Sequence, residues 1–374
     1  MTARLITSAA EIGAARWNGF ANPKGLAEPH PFTSYEFFAA LEESGSAAAE
    51  TGWQPAHLLV DAPEAGGLMP MYLKSHSHGE YVFDHAWAEA LERAGGDYYP
   101  KLQGCVPFTP VTGKRLLGDA ATLLATARAA VKQIGASSLH VTFLTREEWQ
   151  AAGEAGYLLR TGQQFHWENR GYRNFDEFLG ELSSAKRKNL RKERASVREA
   201  GVTFDWLTGS DITEGHWDQF FDFYMDTGGR KWGTPYLTRD FFSRLGDGLG
   251  RQTLLVMAKR DGRYIAGALN LLGEGVLFGR NWGAKDYVAF LHFETCYYQA
   301  IDFAIARGLK RVEAGAQGEH KLLRGYLPVE TYSAHVIAHK GLARAVDDFL
   351  EAERAAMKET MEDLARHAPF KKGG

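Results

Sequence analysis

Hydrophobic and polar positions repeat in the same order in the two halves of the chain. In the carboxyl half, the pattern predicts a hairpin, a further strand, an amphipathic helix and a closing strand, at residues 252–259 and 264–273, 276–283, from about 291, and 310–315. In the amino half, the corresponding elements fall at residues 54–61 and 67–75, 97–103, 119–134 and 137–144. This repetition predicts two copies of one α/β unit.

The join between the copies is predicted near Gly162 to Asn174, which divides the chain into domains over residues 1–165 and 166–374. The second copy opens with a basic helix over residues 175–201, in which Asp176 is an acid of the first turn. Further helices are predicted at Tyr35 to Glu43, Glu214 to Asp226, Arg239 to Leu245 and Ala343 to Arg366.

The amphipathic helix of the carboxyl half leads into the most polar turn of the chain. Gly308 ends this helix, and the next strand alternates apolar with polar residues up to Glu313. Polar groups begin where the strand ends, which in open α/β sheets is the edge that binds ligands. The helix is predicted to bury Phe293, Cys296, Tyr297, Ala300, Ile301 and Ala304 and to expose His292, Thr295, Gln299 and Asp302.

Composition narrows the class of protein. The chain has 374 residues, 45% of them hydrophobic, so it can bury the cores of two domains. Its net charge of −3 provides no overall surface for a polyanion, and phosphate contacts would need a local basic patch. Cys105 and Cys296 have no paired spacing, which fits a reducing cytoplasm. Without a signal-peptide pattern or a run of about 20 apolar residues, membrane contact is expected to be peripheral at most.

Several motif-like segments do not carry the chemistry that they suggest. Residues 111–115 and 246–250 contain glycines but lack the spacing or strand order of a phosphate-binding loop. The segment 76–85 could chelate a metal, but its ligands have no recognised spacing, which favours a solvated loop lining a groove. Its ionisable residues are His76, His78, Glu80, Asp84 and His85. No metal site and no tightly bound cofactor are expected.

The turn that follows the last strand of the carboxyl half is the strongest candidate site. Interleaved glycines let the backbone approach a ligand closely. An exposed turn is the structural alternative, but the density of ionisable groups favours function. The group comprises Glu313, Gln317, Glu319, His320, Lys321, Arg324 and Tyr326.

Two basic segments are candidates for phosphate binding. The first lies on the helix over residues 175–201, where its charges either contact phosphates or are simply solvated. The second lies beside glycines at residues 228–233 and either cradles an anion or ends a helix. The residues concerned are Lys186, Arg187 and Lys188 in the first segment and Arg230, Lys231 and Trp232 in the second.

Two strand segments carry further candidate binding groups. Gln164 and His166 belong to a polar stretch at the predicted domain junction, where they bind a ligand or bond each other. Arg280 and Trp282 share one face of a strand with Phe278. A cation in such a strand needs a partner or an anionic ligand.

These segments resemble a known family over nearly the whole chain. The matching stretches are GEYVFDHAW, YYPKLQGCVPFTPVTGKRLL, LHVTFL, RTGQQFHWENRGY, SSAKRKNLRKER, RKWGTPYLTRDFF, IAGALNLLG and EAGAQGEHKLLRGYLP. They resemble the FemAB-like family of N-acyltransferases, described as peptidoglycan biosynthesis or recognition proteins. The resemblance implies an α/β fold of tandem GNAT-like domains with mixed central sheets, which agrees with the repeated pattern.

The resemblance also implies an activity, transfer of an acyl or aminoacyl group from acyl-CoA or aminoacyl-tRNA to an amine, such as a small molecule or a peptidoglycan precursor. Candidate catalytic residues are Glu313, Glu319, His320 and Lys321. Substrate-binding candidates are Arg280, Trp282, Gln317, Arg324, Tyr326, Gln164 and His166. The two basic segments are assigned to the donor's phosphates or to a tRNA acceptor end. A catalytically silent module that binds a peptidoglycan fragment, an amino acid or a lipid head group is the alternative.

Overall fold

A computed structural model describes residues 1–232, 234–315 and 318–371, except for the side chains of Lys231, Trp232 and Glu319. The chain forms two compact units. Unit 1 combines Met1–Gln163 with Glu330–Thr360, and unit 2 combines Gln164–Val329 with Met361–Gly374.

The first half of the chain contains nine strands and six α-helices. In chain order they are β1 (Thr2–Ile6), α1 (Ala9–Ile12), α2 (Ala14–Ala21), α3 (Tyr35–Glu43), β2 (Trp53–Pro55), β3 (His57–Asp61), β4 (Gly67–Met69), β5 (Met71–Lys74), α4 (His85–Arg93), β6 (Lys101–Gly104), β7 (Leu117–Gly118), α5 (Ala120–Ile134), β8 (Ser138–Leu144), α6 (Arg146–Glu154) and β9 (Leu158–Glu168).

The second half begins with helices. Its elements are α7 (Phe175–Glu181), α8 (Ser184–Glu199), β10 (Thr203–Thr208), α9 (Glu214–Trp232), α10 (Arg239–Leu249), β11 (Thr253–Arg260), β12 (Arg263–Gly273), β13 (Val276–Ala284), α11 (Leu291–Phe293), a π-helical turn (Glu294–Tyr298), α12 (Gln299–Ala306), β14 (Arg311–Glu313), β15 (Leu327–Ile337) and α13 (Lys340–Arg366).

Unit 2 contains the predicted hairpin, strand, helix and strand. Its strands lie in the order β10, β11, β12, β13, β14, β9. The first four are antiparallel neighbours, β14 runs parallel to β13 after the crossover through α12, and β9 is antiparallel to β14. The hydrophobic pattern predicts both the hairpin of β11 and β12 and the parallel pair, and both are present.

Unit 1 repeats this topology. Strands β2, β5 and β6 are antiparallel neighbours, β8 runs parallel to β6 after the crossover through α5, and β15 is antiparallel to β8. The predicted hairpin is broken at Ala56 and Pro70. The halves next to its turn, β3 and β4, join a smaller sheet in the order β1, β3, β4, β7. Proline lacks the N–H that a central strand would need, which accounts for the break at residue 70.

Residues 330–360 lie in unit 1, although the sequence-based division places them with the carboxyl half. The physical reason is the pairing of β15 with β8, in which His335 lies opposite His140. Behind this strand, α13 adds Leu342, Val346 and Leu350 to a buried apolar cluster of unit 1. The strand that pairs with the last strand of each repeat is therefore distant in sequence: β15 pairs with β8 in unit 1, and β9 pairs with β14 in unit 2.

Two helix predictions need correction. The helix expected over residues 175–201 is two helices, α7 and α8. The backbone adopts an extended conformation at Leu182, whose side chain is fully buried, and this ends α7. The π-helical turn shifts the helical register, so Thr295 and Gln299, expected on the polar face, are buried. In the described ranges, no helix is both long and apolar enough to cross a membrane.

Candidate functional site

A row of three residues crosses the sheet of unit 2 at the end of its parallel pair. Phe278 on β13 lies opposite Glu313 on β14, and Glu313 lies opposite His166 on β9. Residues in register on neighbouring strands point to the same face. The strands thus bring a carboxylate and an imidazole together from positions far apart in sequence.

Glu313 is the acid of this row, and its pKa is shifted strongly upward. Its side chain is buried, and burial raises its pKa to about 7 despite the opposing effect of the Arg311 guanidinium. Arg311 Nη1 donates a hydrogen bond to Glu313 Oε1 at 3.2 Å. Oε2 has no hydrogen-bond partner among the residues that the structure describes, the nearest ring nitrogen being His166 Nε2 at 3.7 Å. The carboxyl group can therefore exchange a proton near neutral pH.

His166 and Lys321 complete the ionisable part of the cluster. Burial lowers the pKa of His166 to about 3, aided by the charges of Arg311 and Lys321, so the ring is neutral. Gln164 Oε1 lies 3.4 Å from His166 Nε2. Burial also lowers the pKa of Lys321 to about 8, and its Nζ donates to the Gly315 carbonyl at 3.0 Å. A buried ammonium whose charge acts on this row suits a reaction in which negative charge develops.

The prediction that Trp282 shares a face with Phe278 is wrong, because a β-bulge in β13 shifts the register and sets Trp282 opposite Ala268 but Phe278 opposite Leu271. Arg280 lies in this bulge, two residues beyond Phe278. Its charge is among those that oppose the rise in the pKa of Glu313, which places the guanidinium near the carboxylate. The structure thus brings together five of the sequence candidates: Gln164, His166, Arg280, Glu313 and Lys321.

A second group of candidates collects around aromatic rings. His320 is exposed, and its Nε2 lies 2.9 Å from the Tyr297 hydroxyl. The Arg324 guanidinium lies 3.4 Å from the Phe293 ring centroid and donates to both carboxylate oxygens of Glu193, at 2.8 and 3.0 Å. These contacts hold His320 and Arg324 against the crossover helix, where the π-helical turn places Tyr297.

Two other candidates lie at the margins of this aromatic group. The Trp282 ring meets that of His292 at 5.3 Å, and His292 in turn lies 6.2 Å from His320. Tyr326 is fully buried in the core of unit 2, where its hydroxyl donates to the Tyr297 carbonyl at 3.3 Å. Gln317 lies outside the described residues, as does the side chain of Glu319.

The basic helix α8 lies beside a cavity of about 660 Å³ in unit 2. Arg191, Arg194 and Arg198 line it from successive turns. Arg194 is held by Glu294 at 2.9 Å and Asp302 at 2.6 Å. The three residues assigned to the donor lie nearer the start of the helix and do not line this cavity, with Lys186 and Arg187 half-buried and Lys188 exposed.

The second basic segment lies at the end of α9. Arg230 forms an ion pair with Asp226 and donates to the Ala284 carbonyl at 2.8 Å. The side chains of Lys231 and Trp232 lie outside the described part of the chain. Arg230 is thus engaged by protein groups at a helix end, in agreement with the structural alternative for this segment.

Unit 1 contains a buried ionic network that the sequence analysis missed. Lys101 Nζ donates to Ser77 Oγ at 2.8 Å, to Glu80 Oε2 at 2.7 Å and to Asp84 Oδ2 at 2.5 Å. Lys74 lies beside Lys101 in register on β5, 3.7 Å from Glu80 Oε1. The prediction of a solvated loop over residues 76–85 is therefore wrong for Glu80 and Asp84, because both are buried and share the Lys101 ammonium.

A signal for this network exists in the sequence. Lys101 and Gln103 alternate with apolar neighbours on β6, as do His140 and Thr142 on β8. Such alternation usually indicates a solvated face. Here the polar face is buried, and a lysine or histidine in the middle of a strand is the clue that it needs partners.

The chain matches one family model over residues 8–372, FemAB-like, described as peptidoglycan biosynthesis/recognition. Among solved structures it is similar to FemX, with 12% identity, a TM-score of 0.56, and coverage of 93% of this chain and 100% of FemX. It is also similar to the C-terminal domain of a putative lysylphosphatidylglycerol synthetase from Agrobacterium fabrum, with 11% identity, a TM-score of 0.54, and coverage of 91% of this chain and 97% of that domain.

L-PGS from Bacillus licheniformis gives 12% identity, a TM-score of 0.51, and coverage of 86% of this chain and 98% of that one. At such identities these similarities show the fold alone. No curated protein sequence matches the chain.

Proposed function

Because the chain belongs to the FemAB-like family, we propose that it is a transferase that moves an acyl or aminoacyl group to an amine in the cytoplasm. The donor is an activated ester or thioester of tRNA or CoA type, and the acceptor is a small amine or an amine-bearing peptidoglycan precursor. The single observation that carries this proposal is the buried group of Glu313, His166 and Lys321 at the end of the parallel pair in unit 2.

The chemistry of acyl transfer matches these side chains. An amine attacks the carbonyl carbon of the donor, a C–N bond forms, and the amine proton passes to the Glu313 carboxylate. The Lys321 ammonium and the Arg280 guanidinium stabilise the negative charge that develops on the carbonyl oxygen. The C–O or C–S bond then breaks, and the proton passes to the departing hydroxyl or thiol. A carboxyl group with a pKa of about 7 is suited to both proton transfers.

The neighbouring candidates have supporting roles in this proposal. His320 and Arg324, held against Tyr297 and Phe293, form an aromatic and cationic wall suited to binding part of a substrate. Glu319 remains a candidate catalytic residue, and Gln317 remains a candidate for substrate binding. The family's description as peptidoglycan biosynthesis/recognition supports the choice of acceptor.

The first experiment identifies the substrates. Mass spectrometry of small molecules that copurify with the protein would reveal a CoA thioester, a muropeptide or another amine. Turnover is then measured with acyl-CoA and aminoacyl-tRNA as donors and the recovered or precursor amine as acceptor. Saturable binding without turnover of either donor would contradict the transferase and favour a module that binds peptidoglycan fragments, amino acids or lipid head groups.

Replacing Lys321 with alanine is expected to lower kcat about 100-fold with little change in donor affinity. The reason is that a cation aimed at developing charge contributes mainly in the transition state. Steady-state kinetics separates kcat from KM, and a direct binding measurement gives the donor's Kd. The exposed Lys310→Ala, at the position that directly precedes β14, serves as the matched control.

Lys321→Arg should recover part of the rate because it restores the charge. Unchanged turnover in Lys321→Ala would remove this residue from the active site. A loss confined to the donor's Kd would instead make it a donor-binding group.

Neutralising Lys186, Arg187 and Lys188 together with glutamine is expected to weaken donor binding and to reduce its salt dependence. Each cation that neutralises a phosphate releases about one counterion on binding. Removal of the three cations should therefore make the negative slope of log K against log salt shallower by up to about 3. Binding isotherms at several salt concentrations measure this slope. Three exposed cations of α13, at Lys340, Arg344 and Lys358, provide the control variant. An equal effect of both triple variants would show that only net charge matters.

A further inference from the structure

The sheet of unit 1 has one apolar face and one polar face, and both are buried. The apolar side, which includes Leu102, Leu139 and Val141, packs into a hydrophobic core cluster. Apart from Ile337, the opposite side of β5, β6, β8 and β15 presents groups with polar atoms in register: Lys74 on β5, Lys101 and Gln103 on β6, His140 and Thr142 on β8, and His335 on β15. A buried polar sheet face needs a reason, because each of its groups is removed from water.

This face lies where unit 2 has its candidate catalytic row. In unit 1, Gln103 lies opposite His140 on the parallel strand, and His140 lies opposite His335 on the following antiparallel strand. In unit 2, the corresponding row consists of Phe278, Glu313 and His166. Since the order and direction of the strands are the same, the two rows occupy equivalent places in the repeat.

The polar face is joined to two acids from the loop between β5 and α4. Glu80 and Asp84 each give one carboxylate oxygen to Lys101 Nζ. On the other side of the network, His140 Nδ1 lies 2.8 Å from His335 Nδ1, and Tyr98 donates its hydroxyl proton to Asp84 Oδ2 at 2.8 Å. Because burial raises the pKa of Glu80 to about 7, the trio of Lys101 and two acids carries up to one excess negative charge near neutral pH.

The atoms left over in this network are mainly hydrogen-bond acceptors. Glu80 Oε1, Asp84 Oδ1 and Gln103 Oε1 are buried and have no hydrogen-bond partner in the part of the chain that the structure describes, and the same holds for His335 Nε2. These side chains are 0 to 4% exposed. Carboxylate and amide oxygens accept hydrogen bonds and cannot donate them, so a complementary ligand must bring N–H or O–H donors.

Lys74 does not fill this role. Its Nζ donates to the His78 carbonyl at 3.2 Å, lies 3.4 Å from the Trp53 ring centroid, and stays 3.7 Å from Glu80 Oε1. Burial lowers its pKa to about 7, although Glu80 opposes that shift. Lys74 therefore carries only part of a charge at neutral pH, and Glu80 Oε1 is left without a hydrogen bond in the described part of the chain.

We infer that unit 1 holds a second ligand site, in which Glu80, Asp84 and the polar sheet face bind a primary ammonium group. A primary ammonium supplies three donors and one positive charge, which match the remaining acceptors and the excess negative charge. The loop over residues 75–84 carries both acids and exposes Tyr81 and Phe83 at the surface, so it is a part of the site next to solvent. The inference does not depend on the transfer reaction proposed for unit 2.

The test compares three small probes of similar size by calorimetric titration of the full chain. Butylammonium has the charge and the N–H donors, tetramethylammonium has the charge alone, and butanol has the alkyl group with a single neutral donor. Saturable binding is expected for butylammonium, at least about tenfold tighter than for the other two, because a hydrogen bond to a buried carboxylate discriminates by about that factor. This comparison uses the unaltered protein, so it does not rely on the folding of a variant.

Variants then locate the site. Asp84→Asn and Glu80→Gln should each weaken butylammonium binding about tenfold, whereas Glu89→Gln, an exposed acid on α4, should leave it unchanged. Lys321→Ala in unit 2 should also leave binding unchanged while lowering turnover, which separates this inference from the proposed function. Failure of butylammonium to bind, equal binding of all three probes, or full affinity in Asp84→Asn would overturn the inference.

Discussion

Turnover is expected to fall about 1,000-fold when Glu313 is replaced by glutamine. Glutamine keeps the shape of the side chain and its hydrogen bond to Arg311 but cannot accept the amine proton, and general bases contribute between about 100-fold and 10,000-fold. The loss should appear in kcat and kcat/KM alike, because proton acceptance occurs in the transition state. Glu274→Gln, in the exposed turn between β12 and β13, is the matched control.

The pH dependence of the rate should change with the same substitution. Burial raises the pKa of Glu313 from 4.5 to about 7, so the basic form is lost as pH falls through 7. The unaltered protein should therefore show an acidic limb near pH 7, and Glu313→Gln should lack it. An identical limb in both proteins would assign the proton transfer to another group.

Stability gives an independent check on this variant. Between pH 4.5 and 7 the folded protein binds more protons at Glu313 than the unfolded chain does, so the carboxyl group lowers stability as pH rises through that window. Above pH 7, the ionised carboxylate lowers the free energy of unfolding by on the order of 3 kcal/mol. Glu313→Gln removes that cost and should be no less stable at pH 8. A variant that is inactive and also destabilised at pH 8 would indicate damage to the fold instead of loss of a base.

The second large effect is expected on stability, in unit 1. Lys101→Met should destabilise the protein by about 3–5 kcal/mol, because it leaves the buried carboxylates of Glu80 and Asp84 without their common cation. Chemical denaturation measures the change in the free energy of unfolding. Lys132→Met, at an exposed position on α5, should change it by less than about 0.5 kcal/mol.

The destabilisation should also depend on pH. Burial raises the pKa of Glu80 to about 7 even with Lys101 opposing the shift, and loss of the lysine raises it further. Protonation then relieves the unpaired charge, so Lys101→Met should cost less stability at pH 5.5 than at pH 8. A triple variant that also carries Glu80→Gln and Asp84→Asn should recover part of the loss. Equal destabilisation at both pH values would show that packing of the lysine stem, not its charge, is what unit 1 requires.

The hydrophobic pattern is sufficient to predict most elements but not their partners. The hairpin of β11 and β12 and the crossover to β14 follow from local signals, namely a short turn and a change of period from 2 to 3.6. The meeting of Glu313 with His166 depends instead on β9 lying beside β14. Nothing local in either segment specifies that pairing.

Local geometry limits other predictions. The π-helical turn inserts one residue into a pattern that otherwise fits an α-helix, so the pattern assigns the buried Thr295 and Gln299 to the solvent-facing side. For Glu80 and Asp84, the missing information is the position of Lys101, which lies on a strand about twenty residues further along the chain. Ionisable residues look solvated in sequence until the opposite charge that permits their burial is located.

The pairing of β15 with β8 has a consequence for the synthesis of the protein on the ribosome. His140 and His335 are 195 residues apart, so a ribosome that adds about 5–20 residues per second needs about 10–40 s to deliver the partner strand. Throughout that interval the nascent chain presents β8 as an open edge, with N–H and C=O groups ready to pair with any extended peptide. The hazard of aggregation therefore falls on the growing polypeptide, and translation speed and chaperone capture bear on the yield of this protein.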